Sequence, residues 1–516
     1  MQLAISSIGD RLLILLAAKV GAGSAGTHLL SRQFDWAYDA TGGGAVLTRI
    51  DYYYLYIHIF SSMELSMAQL AEHPTVKHFH AVAAAGLAPS PPAILDAAWL
   101  RKICLDAGAD DVGFVEIGSP DIASHKQEIL DAFPATKSLI SFVCKMNREN
   151  IRTPQRSIAN VEFHHTNVEI NDVARHIVSV LEEAGIRALN GAPTGFPMEA
   201  DRWGAGQMWV VSHKPVAVAA GLGRMGIHRN VIHPKFGNFI LLGTVLVDAE
   251  ISATAKPIDY NPCLECKLCV AACPTGAIAP DGAFNFSACY THNYREFMGG
   301  FNDWVETIAE SGNAKAYRDK FSDAESVSMW QSLSFGANYK AAYCLSVCPA
   351  GEDVIGPFLK DRKQFTHDFV EPLRSKKETI YVTPGSDAET YVPQHFPHKP
   401  IKRVASGLGR QSSVRAFLRG LPLVFQRGRA KGLNATYHFT FTGREDVTAT
   451  VTIAGKELRV ADGHEGKPDL SVSADSETWL RFLRKEASLP WSLLRRRIRL
   501  KGSPRLLLAF GRCFPA

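Results

Sequence analysis

The stretch Cys263-Leu-Glu-Cys266-Lys-Leu-Cys269-Val-Ala-Ala-Cys273-Pro274 is the most informative part of this 516-residue chain. Soft thiolate ligands suit iron–sulfur clusters. In the C-x2-C-x2-C-x3-C-P spacing, three sulfurs face one cluster and the fourth is turned towards a second cluster. A zinc site would instead pair two separated C-x-x-C units. The remaining alternative is that the four cysteines are free, buried thiols that bind no metal. That alternative does not explain their spacing. The sequence therefore predicts an iron–sulfur protein.

A second cysteine motif, Cys344-x3-Cys348-Pro349, lies downstream. By the logic of two-cluster ferredoxins, cluster 1 takes Cys263, Cys266, Cys269 and Cys348, and cluster 2 takes Cys273, Cys289 and Cys344. A fourth thiolate is expected three residues before Cys344, but that residue is Ala341. Cluster 2 is thus expected to contain three irons, to contain four irons with an unusual or solvent ligand, or to be absent. The isolated cysteines Cys104, Cys144 and Cys513 are expected in hydrophobic cores.

Periodic patterns on either side of the motif predict the domains. Strand-like runs begin at Asp111 and Leu139, and a helical apolar face runs from Val173 to Ala184. Alternating strands follow from Ala435 onward, with Gly443 and Gly455 between them. We predict an α/β N-terminal domain, a ferredoxin-like two-cluster domain of the α+β class and a C-terminal α+β domain. The predicted boundaries are an uncertain N-terminal extension at 1–62, the α/β domain at 63–260, the cluster domain at 261–360, a linker at 361–405 and the C-terminal domain at 406–516.

The charge is unevenly distributed along the chain. The net charge is +5, but residues 401–516 hold 22 Lys and Arg against 9 Asp and Glu, so the rest of the chain is net negative at −8. A basic block of this kind favours an anionic surface such as a membrane leaflet or nucleic acid, and a solvated basic face is the alternative. The sequence contains no long uninterrupted apolar stretch and no basic secretory leader pattern. The expected location is cytoplasmic, with peripheral membrane contact through the C-terminal domain.

The residues before the cysteine motif suggest a family. Ala220-Gly-Leu-Gly-Arg-Met-Gly226, then Asn230-x-Ile232-x-Pro234-x-Phe-Gly237, then Leu241-Leu-Gly243 precede the C-x2-C-x2-C-x3-C-P run. Over about residues 90–360 the chain resembles epoxyqueuosine reductases and corrinoid reductive dehalogenases. The resemblance implies a corrinoid-binding α/β domain fused to a two-cluster ferredoxin domain. It also implies that electrons pass through the clusters to the cobalt of a cobalamin, which reduces the substrate.

Two positions depart from that family. The acidic proton donor of epoxyqueuosine reductases corresponds to Ser212 in the stretch Val211–Pro215, and Ala341 replaces a cluster ligand. The negative charge of residues 1–400 also disfavours a tRNA groove, because phosphate binding requires a basic surface. We therefore do not expect a tRNA substrate. We expect a related enzyme that acts on another substrate.

The glycine-rich loop allows three interpretations. Gly221, Gly223 and Gly226 could approach a corrinoid or the neighbouring cluster, could bind a dinucleotide, or could form a tight turn. A dinucleotide fingerprint must open a helix, whereas His228, Pro234 and a strand-like pair follow this loop. NAD is therefore not expected, and the three glycines are taken as candidate corrinoid-binding residues.

The last ~110 residues resemble a sterol carrier protein type 2 domain. The matching stretches are Tyr437–Phe441, Val447–Val460, Lys467–Val472, Asp475–Leu483 and Ile498–Arg505. The resemblance implies helices laid against a twisted sheet, with an apolar tunnel for a lipid or acyl chain. An apolar or lipid ligand is therefore the expected partner of this domain.

Together these features predict an iron–sulfur reductase, assisted by a corrinoid, that acts on an apolar substrate and takes electrons from a small donor protein. His213, Lys214 and Asp201 are the candidate catalytic residues, with Glu199 beside them, because each could supply a proton. The alternatives are a non-catalytic electron-transfer protein with a lipid-binding or membrane-recruiting module, and a lipid-binding scaffold with a residual cluster.

Overall fold

The computed structural model describes residues 70–86, 92–191, 210–405 and 411–515. The chain divides into two compact units, residues 1–88 and 89–516. In the first unit the structure describes helix α1 (Pro74–Ala84), where the His73 ring accepts a hydrogen bond from the Thr75 amide. The predicted extension at 1–62 and the candidate acids Glu199 and Asp201 lie outside the described residues.

An antiparallel sheet organises the residues before the cysteine motif. Its strand order is β2–β3–β7–β4. The two central strands are buried almost throughout because both of their edges pair with neighbours and helices cover the sheet. A parallel pair β1–β8 and a hairpin β5–β6 lie beside it. The strands are β1 (Ile94–Leu95), β2 (Asp111–Glu116), β3 (Ser138–Lys145), β4 (Ala188–Asn190), β5 (Arg224–Met225), β6 (Val231–Ile232), β7 (Ile240–Val247) and β8 (Glu250–Ile251).

One long helix supplies most of the apolar cover for this sheet. It buries Val173, Ile177 and Leu181 on one face, as the sequence spacing predicted, and the chain turns at Gly185, whose φ is +78°. It begins well before the predicted apolar run because its N-terminal half packs against the cluster region through Arg156 and Asn160. The helices of this part are α2 (Ala97–Asp106), α3 (Lys126–Ala132), α4 (Arg148–Arg152), α5 (Arg156–Glu183) and α6 (His213–Ala219).

Three cysteines of the next segment, Cys269, Cys289 and Cys344, each lie on a short helix. Between the second and third of them a helical insertion extends the chain, and Ser322 and Glu325 form a reciprocal capping box at the start of its last helix. The helices are α7 (Leu268–Ala272), α8 (Phe286–Asn293), the insertion α9 (Gly299–Glu310), α10 (Ala314–Lys320) and α11 (Asp323–Phe335), and then α12 (Tyr343–Ser346).

The structure contradicts the predicted linker at 361–405. Ile380, Val382, Val392 and Phe396 are buried in the same core as Cys269 and Cys273, so this segment completes the cluster domain. A short helix, α13 (Gly356–Lys360), precedes this segment. The segment contains α14 (Arg362–Phe365), a π-helical turn (Thr366–Val370), α15 (Glu371–Ser375), β9 (Ile380–Val382), α16 (Asp387–His395) and β10 (Ile401–Arg403). β9 and β10 pair in parallel.

The C-terminal residues fold as a five-stranded sheet covered by helices, with strand order β13–β12–β11–β14–β15. The predicted strands and the helix from Ser476 are present. Trp479 is fully buried against Phe417, Phe439 and Phe441, each with its ring centroid 5.7 Å from that of the tryptophan. The elements are α17 (Val414–Val424), β11 (Ala435–Thr442), β12 (Val447–Ala454), β13 (Glu457–Asp462), β14 (Leu470–Asp475), α18 (Ser476–Leu483), α19 (Leu489–Leu494), β15 (Ile498–Gly502) and α20 (Pro504–Arg512).

A buried glutamine joins this domain to the cluster domain. Gln426 is 0% exposed; its Oε1 accepts hydrogen bonds from the Asn285 side chain at 3.0 Å and the Asp387 amide at 2.9 Å. Its Nε2 donates to Ser287 Oγ at 2.9 Å. Arg427 adds an ion pair with Asp281 at 2.9 Å. The two domains are therefore packed together by specific contacts.

Among the described residues, no helix has both the length and the apolar character needed to cross a bilayer.

Candidate metal centre and cavity

The four thiols assigned to cluster 1 line one small pocket. Cys263, Cys266, Cys269 and Cys348 surround it, together with Ile227, His228 and Pro349. Glu265 and Lys267 adopt left-handed φ angles of +48° and +62°, and the chain then enters α7. These two turns wrap the loop so that its three thiols can face the same pocket as Cys348, which follows α12.

The three thiols assigned to cluster 2 line a much larger cavity of about 570 Å³. Cys273 ends α7, Cys289 lies on α8 and Cys344 lies on α12. Ala341, at the position of the expected fourth thiolate, also lines this cavity. The structure therefore gathers the seven predicted ligands into two groups, four around the small pocket and three on the cavity wall.

Among the described residues, no group of three or more His, Cys, Asp or Glu side chains is placed to hold a single metal ion. An iron–sulfur cluster does not require ligands gathered around one ion, because each thiolate binds a different iron at its own corner of the cluster. Four thiols around one pocket are the donor set that a cubane cluster takes.

The cavity wall is mainly apolar and aromatic. The large side chains that line it are Phe163, Met225, Phe284, Phe286, Tyr294, Phe297, Met298 and Tyr339. Leu423 and Val424, from α17 of the C-terminal domain, pack against the same aromatic group. The wall between the cavity and the C-terminal domain is therefore a shared apolar layer.

Two of the candidate catalytic residues line the cavity from the start of α6. The His213 Nδ1 lies 2.9 Å from Thr244 Oγ1, and Lys214 Nζ donates to the Arg229 carbonyl at 2.8 Å and to Asn230 Oδ1 at 3.2 Å. The Lys214 side chain borders the open cavity but is otherwise surrounded by protein, and this burial lowers its pKa, opposed by the Cys344 and Cys289 thiols.

The three glycines proposed for corrinoid binding do not line the cavity; later residues of the same loop, Met225 and His228–Val231, do. Gly223 is required for packing: a Cβ atom there would lie 2.3 Å from the Ile232 carbonyl oxygen. The loop leads into the hairpin β5–β6 and not into a helix. The tight-turn interpretation therefore describes the glycines, and the contact with the cavity comes from the residues after them.

Two buried histidines on the cavity wall were not predicted. In each, Nδ1 accepts a hydrogen bond from a backbone amide, Asn230 for His228 at 3.1 Å and Tyr381 for His292 at 3.3 Å. Burial lowers the pKa of His228 to about 4, with a contribution from Lys214, and that of His292 to about 3. Both rings are therefore neutral. A sequence signal existed for His292, since it follows Cys289 by three residues on one helix and so shares its face.

The isolated cysteines behave as predicted core residues. Cys104, Cys144 and Cys513 are each 0% exposed. Burial raises the pKa values of Cys104 and Cys144 to about 12, so both thiols stay protonated and inert.

Comparison with known proteins identifies two segments of the chain. The 4Fe-4S binding domain family matches residues 256–279, and the SCP-2 sterol transfer family matches residues 424–515. The epoxyqueuosine reductase of Vibrio cholerae serotype O1 is 32% identical over 92 residues, which are 17% of this chain and 24% of that protein. This chain covers only a fifth to a third of the length of the first matching epoxyqueuosine reductases.

Two solved structures align with parts of the chain. The epoxyqueuosine reductase of Streptococcus thermophilus aligns over 36% of this chain and 54% of that chain, at 17% identity and a TM-score of 0.26. A catabolic reductive dehalogenase aligns over 53% of this chain and 34% of that chain, at 14% identity and a TM-score of 0.32. The chain thus combines a 4Fe-4S segment related to epoxyqueuosine reductases with an SCP-2 domain.

Proposed function

We propose that this chain is an iron–sulfur reductase that passes single electrons through two clusters into the cavity, where an apolar substrate is reduced. The observation that carries the proposal is that two short segments each supply one thiol to cluster 1 and one thiol to cluster 2. α7 holds Cys269 of the first group and ends at Cys273 of the second. Cys344 of the second group lies four residues before Cys348 of the first. Two clusters held in this way are close neighbours, and only the second borders the cavity.

The direction of electron flow follows from exposure. Leu264, inside the cluster 1 loop, is 43% exposed, and Glu265 and Lys267 beside it are also accessible. A small donor protein can therefore approach cluster 1, whereas the Cys289 and Cys344 thiols are reached through the cavity. We infer that electrons enter at cluster 1 and leave at cluster 2.

A corrinoid is the cofactor that we propose for the cavity. The aromatic wall offers flat apolar surface, and Met225, Asn230 and Tyr294 would hold the ring beside the cluster 2 thiols. When bound, a corrinoid supplies a cobalt centre that accepts single electrons and transfers them to the substrate. Lys214 is our candidate proton donor, because it lines the cavity, its ammonium group is fixed by two acceptors and Ser212 occupies the position of the family's acid.

An apolar substrate is favoured by the position of the SCP-2 domain. Leu423 and Val424 of that domain pack on the residues that line the cavity, so a lipid-binding module lies directly behind the cavity wall. The net negative charge of residues 1–400 disfavours tRNA. We therefore propose a lipid-like molecule as the substrate.

Anaerobic purification tests the cluster part of the proposal. We expect about eight irons per chain for two four-iron clusters, or about seven if the second has three, with broad visible absorbance and with cobalt if the corrinoid is bound. Cys348→Ala should lose the cluster 1 signal, and Cys104→Ala is the matched control, since it removes a buried thiol far from any ligand group. A folded protein without iron would contradict the proposal.

Electron transfer to a partner enzyme is the second candidate, and the accessible cluster 1 loop favours it. The two functions differ in where the electrons go. Reduced protein that is reoxidised by a lipid-like acceptor in the absence of other proteins supports the reductase. Reduced protein that is reoxidised only by another redox protein supports the carrier.

A further inference from the structure

We propose that cluster 2 is a binding site for the anionic head of an apolar molecule. In this proposal three thiolates hold the cluster at three corners, and the fourth corner faces the cavity, where His292 donates a hydrogen bond to the bound head group. The inference rests on the proposed function in that the chain must assemble both clusters, and it requires the corrinoid to leave the fourth corner of cluster 2 open to the cavity.

The first observation is the residue at the fourth position. Ala341 lines the cavity with Cys273, Cys289 and Cys344, and a methyl group cannot ligate iron. Its amide donates to Asn293 Oδ1 at 2.9 Å. This bond fixes Ala341 against the end of α8, beside His292.

The second observation is the protonation of His292. Since Nδ1 accepts the Tyr381 amide hydrogen at 3.3 Å, the neutral ring carries its proton on Nε2. His292 is 1% exposed, and its Nε2 has no hydrogen-bond partner among the described residues. A protonated nitrogen cannot be the fourth iron ligand. It is a buried donor without an acceptor on the wall of a cavity, and leaving such a donor unpaired is costly, so a bound acceptor is expected.

The third observation is the charge of the wall. Arg156, Lys214 and Arg229 line the cavity, whereas no Asp or Glu among the described residues does. A four-iron cluster in its 2+ state held by three thiolates carries one net negative charge, so the three cations leave this wall net positive, and together with the histidine donor they favour an anion. The aromatic wall favours an apolar body. A carboxylate with an alkyl chain combines both properties.

The experiment compares the wild-type protein with Ala341→Cys, which restores a fourth thiolate. We expect mild oxidation to convert cluster 2 of the wild type into a three-iron cluster with its own EPR and Mössbauer signals, and Ala341→Cys to abolish that conversion. Ala272→Cys is the control, since it adds a buried thiol next to Cys273 at a position that does not line the cavity. Wild-type and Ala341→Cys proteins that oxidise alike would overturn the proposal.

The head group is tested with decanoate, and decanol is the uncharged probe. Decanoate should shift the EPR spectrum of reduced cluster 2 in the wild type, whereas decanol should not, and Ala341→Cys should show neither shift. His292→Phe should weaken decanoate binding about tenfold or more with the iron content unchanged. If decanoate causes no shift in the EPR spectrum, the proposal is overturned. It is also overturned if cluster 2 of the His292→Phe protein contains only three irons, because His292 would then be the fourth ligand. Protein without any iron would instead overturn the proposed function.

Discussion

Lys214 links the start of α6 to the turn at residues 228–230, where Arg229 has a left-handed φ of +64°. Lys214→Met leaves the Arg229 carbonyl and the Asn230 side chain without this donor. We expect a loss of about 0.5–1.5 kcal/mol in the free energy of unfolding, because water can reach both acceptors, measured by urea denaturation under argon. The exposed Lys467→Met is the control. Unchanged stability, with no faster hydrogen exchange at residues 228–230, would contradict the role of Lys214 in holding the turn.

Glu325 connects the helical insertion to the segment once expected to be a linker. It accepts hydrogen bonds from Lys402 at 2.7 Å, Tyr381 at 2.8 Å and the Ser322 amide at 2.9 Å. Burial opposes ionisation, but these donors together lower the pKa of Glu325 from 4.5 to about 2. Because the folded pKa lies below the unfolded one, this stabilisation is complete above pH 4.5 and is lost as the pH falls towards 2.

Glu325→Gln should therefore lower the free energy of unfolding by about 1–3 kcal/mol at pH 7. The difference from the wild type should narrow only below pH 4.5, in urea titrations at a series of pH values. Asp323→Asn, which removes an exposed carboxylate on the same helix, serves as the control. A difference that already narrows near pH 6 would mean that another group is responsible.

At the scale of elements, the end of α17 and Gln426, which follows it, hold the SCP-2 domain against α8. Gln426→Leu removes the partner of Asn285, Ser287 and the Asp387 amide in a buried interface, which should weaken docking by about 1–3 kcal/mol. We expect urea unfolding to separate into two steps, with hydrogen exchange of the β11–β15 amides rising before cluster absorbance is lost. Arg459→Ala, which breaks only an exposed ion pair with Glu465, should keep a single step. One transition for both variants would mean that Gln426 does not hold the domains together.

The same contact changes the interpretation of a truncation. Deleting residues 406–516 would expose the apolar layer that Leu423 and Val424 cover, including Phe286 on α8. Slower reduction of an apolar substrate by that truncated protein could then come from damage to the cavity wall. Gln426→Leu keeps the SCP-2 domain on the chain and is the sharper test of whether that domain contributes to the reduction of an apolar substrate.

Local patterns explain which elements the sequence could predict. Cysteine spacing within 263–269 is set by the geometry of one cluster, and the alternation in β11 and β12 is set by one buried face of a sheet. The segment 361–405 lacks such a period, because Ile380 and Phe396 are buried by distant residues such as Cys273. His292 was missed for the same reason: its role depends on Ala341 and Tyr381, which come together only in the folded chain.

At the scale of the whole molecule, the basic charge of the C-terminal domain is concentrated on an exposed surface. Trp491 is 53% and Leu494 73% exposed, and the Arg495 guanidinium lies 4.5 Å from the Trp491 ring. The cations next to Arg495 are Arg496, Arg497, Arg499 and Lys501. Among the described residues, no ion pair joins any of these four or Arg495 to a carboxylate.

We expect this surface to bind vesicles that contain phosphatidylserine. Each surface cation contributes about 1 kcal/mol at an anionic leaflet, so changing Arg495, Arg496 and Arg497 together to Gln should reduce binding at least tenfold. Co-sedimentation measures it, and binding should fall as salt is raised. Arg459→Gln is the single-charge control. Equal binding to phosphatidylcholine vesicles, or binding that is unaffected by salt, would argue against an electrostatic membrane surface.

The route of the chain around cluster 1 also constrains how the protein is made. Cys263, Cys266 and Cys269 leave the ribosome long before Cys348, because the whole insertion α9–α11 is synthesised between them. A nascent chain can therefore offer only three thiolates of cluster 1 until translation has passed the insertion. Cluster 1 can accordingly be completed only after Cys348 has been made, and a ribosome stalled within residues 299–335 would hold a chain with three of its four thiols.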